Sequence, residues 1–116
     1  MLKRVILLGR KFGVSRALDW LRSSGIDVPL VVGESKDFFS GNIRHAVTVI
    51  GDDEIYRLIL NKDPRLNNID LVISYLHNKK ILPPLYNLGW RGCINFHPAI
   101  LPDYKSSAGY NTALLA

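Results

Sequence analysis

The sequence predicts an α/β domain built on a parallel sheet, and three observations carry that expectation. Short apolar runs recur along the chain, stretches with helical spacing of apolar residues separate them, and glycine or proline marks the joins. The first run, Val5, Ile6, Leu7 and Leu8, stops at Gly9. Val14, Ala17, Leu18 and Leu21 then recur at helical spacing, so the segment reads as strand, glycine turn and helix. Gly25 ends that helix, and residues 28–32 form a second strand whose Pro29 lies near its start, where a missing N–H matters least.

Residues 34–45 mix charges with Phe38, Phe39 and Gly41 without a period, and are expected to be loop with at most one turn of helix. Residues 46–50 read as a third strand. Asp52 or Asp53 is expected to cap the helix that follows, with Ile55, Leu58 and Ile59 on its buried face. Residues 69–74 are the fourth strand; Pro83 and Pro84 open a short helical or irregular segment that Gly89 closes; residues 93–96 are the fifth strand, ending at His97 and Pro98. Sheets of this kind are covered on both faces and take ligands beyond the carboxyl ends of their strands. Functional residues are therefore expected in residues 9–13, 75–80 and 97–107.

The composition fits this reading. A chain of 116 residues, 47% hydrophobic and 22% charged, has room for one globular domain, residues 1–116, and no low-complexity segment. The apolar run after Lys3 and Arg4 breaks at Gly9 and Arg10, too early for an export signal, and no run reaches the roughly 20 residues of a membrane span. A soluble, cytoplasmic protein is expected. Cys93 is the single cysteine, so no intrachain disulfide forms, and the histidines show no metal-ligand spacing. The net charge of +5 favours anionic ligands. Its basic pairs (Lys3 and Arg4, Arg10 and Lys11, Lys79 and Lys80) are scattered instead of interleaved with aromatics on one face, so a small anion is favoured over RNA, which stays open as a carrier of the substrate.

The chemistry concentrates at the fifth strand. Asn95 and His97 stand two apart on a strand and so point the same way, with Cys93 one step deeper on that face. An amide donor beside an imidazole suits acyl transfer, in which an oxyanion must be stabilised and protons moved near neutral pH. An arbitrary Asn-x-His pair more often just ties down a loop, and a lone strand cysteine more often behaves as a small buried hydrophobe than as a nucleophile. Arg10 and Lys11 follow the first strand where a substrate phosphate would meet a helix amino terminus, against the plainer reading of solvated surface. Gly9 and Gly13 lack the middle glycine of a dinucleotide fingerprint.

The stretch Ile94-Asn95-Phe96-His97-Pro98-Ala99-Ile100-Leu101-Pro102-Asp103-Tyr104-Lys105 resembles the Asn-x-His-Pro motif and Leu-Pro loop of the folate-dependent formyltransferases. Asp70-Leu71-Val72-Ile73-Ser74-Tyr75 is similar to that family's fourth strand and its approach to the pterin loop, so the resemblance covers roughly residues 69–116. It implies a three-layer Rossmann-like fold with parallel strand order 3-2-1-4-5, here an amino-terminal part truncated before the last strands. It implies 10-formyltetrahydrofolate as formyl donor, bound near Tyr75, Leu76, His77, Ile81, Pro98 and Leu101; Lys79 and Lys80 would meet its glutamate tail, against the plainer reading, for them and for His77, of solvated surface. Asn95 and His97 would be catalytic. An aspartate further along the family's sequence, which would help remove the proton, lies beyond Ala116; Asp103 does not match it, and these 116 residues alone are expected to be inactive.

The acceptor implied is an amine, phosphate-bearing, with Arg10, Lys11, Ser107 and Tyr110 as its contacts. The continuation Ser107-Ala108-Gly109-Tyr110-Asn111 looks more like the formyltransferases of amino sugars than those of methionyl-tRNA, with glycinamide ribonucleotide third. The alternatives are a formyltetrahydrofolate hydrolase, for whose usual preceding regulatory domain the start at Val5 leaves no room, and an inactive folate-binding fragment. With the family's next, antiparallel strand absent, the fifth strand is expected to expose its edge over residues 92–96 and to mediate self-association.

Overall fold

The structure, a computed structural model, describes residues 1–34, 47–75, 77, 79–96 and 114–115, with only the backbone at positions 11, 12, 114 and 115. The loop expected at residues 34–45 thus lies, past Glu34, outside the described residues.

The elements follow the expected order. Strand β1 (Val5–Gly9) leads into helix α1 (Lys11–Ser23), then β2 (Leu30–Val32), β3 (Thr48–Ile50), α2 (Asp52–Leu60), β4 (Leu71–Tyr75), α3 (Pro83–Tyr86), β5 (Cys93–Phe96) and β6 (Leu114–Leu115). The sheet runs β3-β2-β1-β4-β5-β6, and its first five strands are parallel in the order the sequence predicts. All five residues of β1 are buried, as a central strand covered on both faces requires.

Alternation along the strands sorts the core into two layers. Val5, Leu7, Val31 and Leu71 face α1, which presents Val14, Leu18 and Leu21. Ile6, Leu8, Leu30, Val32, Val72 and Cys93 face the other way, onto Ile55 and Leu58 of α2 and Leu85 of α3. Each such side chain, fully buried, contributes about 1.5–3 kcal/mol. Gly25 ends α1 in a left-handed conformation (φ +80°), its N–H donating to the Arg22 carbonyl oxygen while that of Ile26 returns to Leu21.

Three local expectations are corrected. The amino-terminal cap of α2 is Gly51, not an aspartate; Asp52, Asp53 and Glu54 occupy its first turn, where their negative charges favour the positive end of the helix dipole. A 3-10 turn, Pro64–Leu66, is present that no periodicity announces, and the Asp63 side chain caps it by accepting from the Arg65 N–H. The third correction concerns the sheet edge. Leu114–Leu115 pairs antiparallel with β5, Leu115 opposite Cys93 and Leu114 opposite Ile94, so a sixth strand lies inside the chain. The β5 edge expected to drive self-association is covered there by the chain's own backbone, because two adjacent leucines suffice to pair although they are too few to show a period.

The amino ends of the strands are tied by Asp70. Its carboxylate accepts from the backbone N–H groups of Lys3 (2.5 Å) and Arg4 (3.0 Å) and from the Trp90 indole (2.7 Å). The Lys3 N–H first, then those of Arg4 and Trp90, hold its carboxyl down from 3.8 to about 2. A depressed carboxyl pKa stabilises the fold above its unfolded value and ceases to as pH falls through the folded one, so this contribution fades between pH 3.8 and about 2. Asp70→Asn should therefore lower the Tm at neutral pH and flatten the acid limb of Tm against pH. Parallel limbs in wild type and variant, measured by thermal melts, would refute this role.

Candidate active site

The carboxyl ends of β1, β2, β3 and β4 surround a cleft of about 280 Å³. Each of the first three strands closes on a glycine followed by a charged residue: Gly9 and Arg10, Gly33 and Glu34, Gly51 and Asp52. Arg10 is the amino-terminal cap residue of α1, and its backbone N–H donates to the Tyr75 carbonyl oxygen (3.4 Å), which seats it over the β1–β4 junction. His77 and Lys79, from the segment after β4, complete the walls.

His77 is held firmly. Its side chain is 5% exposed, and Nε2 lies 2.7 Å from Oδ1 of Asp52 at the start of α2. The pair ties the segment after β4 to the end of β3, which the polar surroundings of His77 in the sequence do not suggest. Further along, the N–H of Leu82 donates to the Tyr56 hydroxyl of α2 (2.9 Å), and Ile81 packs against the α2 side of the core.

Asn95 stands one strand further, half-buried near the end of β5. The register aligns Leu8, Ser74 and Asn95 across β1, β4 and β5, on the face that Val72 and Cys93 share. Ser74 is buried, and its hydroxyl has no hydrogen-bond partner among the described residues. Burial pushes the Cys93 thiol up to about 11, so it is protonated at neutral pH and not a nucleophile.

Tyr75 points to the opposite face. Its ring packs on Gly13 and lies 6.4 Å from that of Phe96, and with Ile73, Ala17, Trp20 and Leu21 these rings form an apolar groove of about 260 Å³. The structure thus gathers Arg10, His77 and Lys79 at one cleft, sets Asn95 beside it on β5, and separates the Tyr75 ring from both. His97, Leu76, Pro98, Leu101, Ser107 and Tyr110 lie outside the described residues, as does the Lys11 side chain. Residues not anticipated are Glu34, Asp52 as the partner of His77, and Ser74. The repeated Gly-then-charge ending of the strands is the signal that marks the first two. Among the described residues no cluster of His, Cys, Asp or Glu could hold a metal, and no helix is long and apolar enough to cross a membrane.

A doubly wound sheet with a charged cleft at its switch point, and the Asn95 amide at the end of β5 beside it, defines a ligand-binding α/β domain. Comparison with known proteins makes this more specific. Methionyl-tRNA formyltransferases of Borreliella burgdorferi and Borreliella afzelii are 30% and 31% identical to it over 74 residues, which is 64% of this chain and 22% of each relative. No protein-family model matches the chain. In fold it resembles a phosphoribosylglycinamide formyltransferase from Bacillus halodurans (TM-score 0.59, 17% identity, 92% of this chain and 66% of that one). It likewise resembles glycinamide ribonucleotide transformylase 1 from Geobacillus kaustophilus (TM-score 0.58, 17% identity, 98% and 70%). The chain is thus similar in sequence to methionyl-tRNA formyltransferases and in fold to glycinamide ribonucleotide formyltransferases, the family its motif resembles, and it spans about a fifth of the length of the curated relatives it matches.

Proposed function

We propose that the intact protein transfers a formyl group from 10-formyltetrahydrofolate to the amine of a phosphate-bearing small molecule, an amino sugar nucleotide before methionyl-tRNA or glycinamide ribonucleotide. Residues 1–116 supply the amino-terminal part of its catalytic domain, and the protein works in the cytoplasm. The observation that carries this reading is Asn95 at the carboxyl end of β5, beside the cleft and inside the Asn-x-His-Pro stretch.

The acceptor amine attacks the formyl carbon, and the carbonyl oxygen gains the charge; as the amine loses its proton the intermediate collapses, the bond from the formyl carbon to N10 breaks, and tetrahydrofolate leaves. Asn95 donates an amide N–H to that oxygen, and His97 donates to it and moves a proton; a preorganised donor of this kind is worth roughly 2.7–4 kcal/mol of barrier. The donor is bound by Leu76, His77 and Ile81 of the segment after β4 and by Pro98 and Leu101, with Tyr75 contributing its backbone. Arg10 and Lys11, with Ser107 and Tyr110, hold the acceptor and its phosphate.

Donor labelled in the formyl group separates transfer from hydrolysis. With an amine acceptor present, the intact protein should carry the label into a formamide. Label recovered wholly as formate would make the protein a hydrolase, and label left on the donor would remove the enzymatic reading.

A further inference from the structure

We infer that Ser74 is a positioning residue for formyl transfer: its hydroxyl donates to Oδ1 of Asn95 and so holds that amide with its N–H groups toward the reacting oxygen. The inference rests on the formyl-transfer reading and adds to it a residue that acts only through Asn95.

The sheet register brings the two together. Ser74 and Asn95 stand opposite each other on β4 and β5, on the face that Val72 and Cys93 share. Adjacent strands lie about 4.8 Å apart, a gap that a hydroxyl and a carboxamide can close with one hydrogen bond. Oδ1 of Asn95 is buried although the residue as a whole is only half-buried, so the amide turns its oxygen inward. An amide has two donor N–H groups and two acceptor lone pairs, and Asn95 takes this bond beside the contact it already makes.

Packing does not explain the Ser74 hydroxyl. The residue is 1% exposed, and its Oγ has no hydrogen-bond partner among the described residues. A buried hydroxyl without a partner costs stability that an alanine would not. Its other neighbours on the sheet offer nothing better than Asn95. Leu8 opposite it on β1 and Val72 two residues back on β4 are apolar, and Cys93 is a protonated thiol, a weak acceptor.

The direction of the amide decides what it can do. Its N–H groups stabilise negative charge on a substrate oxygen, whereas its own oxygen turned outward would repel that charge. With the amide reversed, the Ser74 hydroxyl could accept from Nδ2, but its own proton would have no acceptor among these sheet neighbours. That proton is satisfied only with Oδ1 inward, so the hydroxyl selects the productive orientation. Donation to Oδ1 also draws charge from the amide and strengthens its N–H groups as donors. The bond needs only rotation about the first side-chain torsion of Ser74, and hydrogen bonds of this kind tighten as the reacting complex forms.

The test is formyl transfer by the intact protein with Ser74→Ala and Asn95→Ala, singly and together, with the donor dissociation constant and Tm of each. Ser74→Ala should lower turnover at least about 10-fold and leave the donor constant within about 3-fold of wild type. Its Tm should stay within about 3 °C, since the hydroxyl it removes has no partner among the described residues. In the Asn95→Ala background the same substitution should change turnover by less than about 2-fold, because a residue that acts through Asn95 has nothing left to position. Ser74→Cys, similar in shape but only a weak donor, should lose turnover as Ser74→Ala does. An equal loss from Ser74→Ala in both backgrounds would make Ser74 a packing residue and overturn the inference. Normal turnover in Ser74→Ala beside an impaired Asn95→Ala refutes this inference alone, whereas no transfer by the wild-type protein refutes the formyl-transfer reading and this inference with it.

Discussion

In the intact protein, His97→Ala and Asn95→Ala should each lower turnover by at least about 100-fold while donor affinity stays near that of wild type. One oxyanion donor is worth roughly 2.7–4 kcal/mol, or about 100- to 1,000-fold in rate. The effect falls on turnover because the donor's formyl oxygen is uncharged in the ground state and anionic only once the amine has added. His97→Ala should cost more than Asn95→Ala wherever the imidazole also moves a proton, since general acid–base assistance is worth about 100- to 10,000-fold. The two losses should not add, because both groups act on one intermediate. Equal losses in turnover and donor affinity would instead make Asn95 and His97 binding residues.

Gly9→Ala should destabilise the fold by about 2–3 kcal/mol, the cost of forcing an extra group into a packed site, and lower the Tm by roughly 10 °C. The added Cβ would meet the Tyr75 carbonyl oxygen and the Val14 side chain, 2.7 Å from its Cγ2. Neither yields easily. Tyr75 belongs to β4, paired in register with Gly9, and Val14 is buried on the sheet-facing side of α1. Because the Tyr75 carbonyl also accepts from Arg10, the same substitution should disturb the cleft wall. Thermal melts of the variant against wild type decide it, and a Tm within about 2 °C would mean that the β1–β4 junction gives way without cost.

What the sequence made legible is what local pattern can encode. The apolar runs of β1, β4 and β5 and the helical spacing of Val14, Leu18 and Leu21 are local signals, and the buried strands and α1 appear where they predict. Asn95 stands out in the sequence because a dense motif surrounds it, and the structure sets it on β5 opposite Ser74. The bond between His77 and Asp52 joins residues 25 apart in sequence, and a histidine in a polar loop gives no local sign of its partner. Asp52 and Asp53 both suit a cap by residue type; the structure gives the cap to Gly51 and leaves the Asp52 carboxylate to His77. The direction of the Tyr75 ring follows from its parity with Ile73 on β4, whereas the loop in which it was expected to act has no parity to read. The antiparallel β6 escaped because two residues carry no period.

Asn95 as the oxyanion donor is the central claim, and the measurement closest to it is the turnover number of Asn95→Ala in formyl transfer, taken beside the donor dissociation constant of the same protein. The account predicts turnover down at least about 100-fold with the donor constant within about 3-fold of wild type. Near-normal turnover in that variant would contradict it.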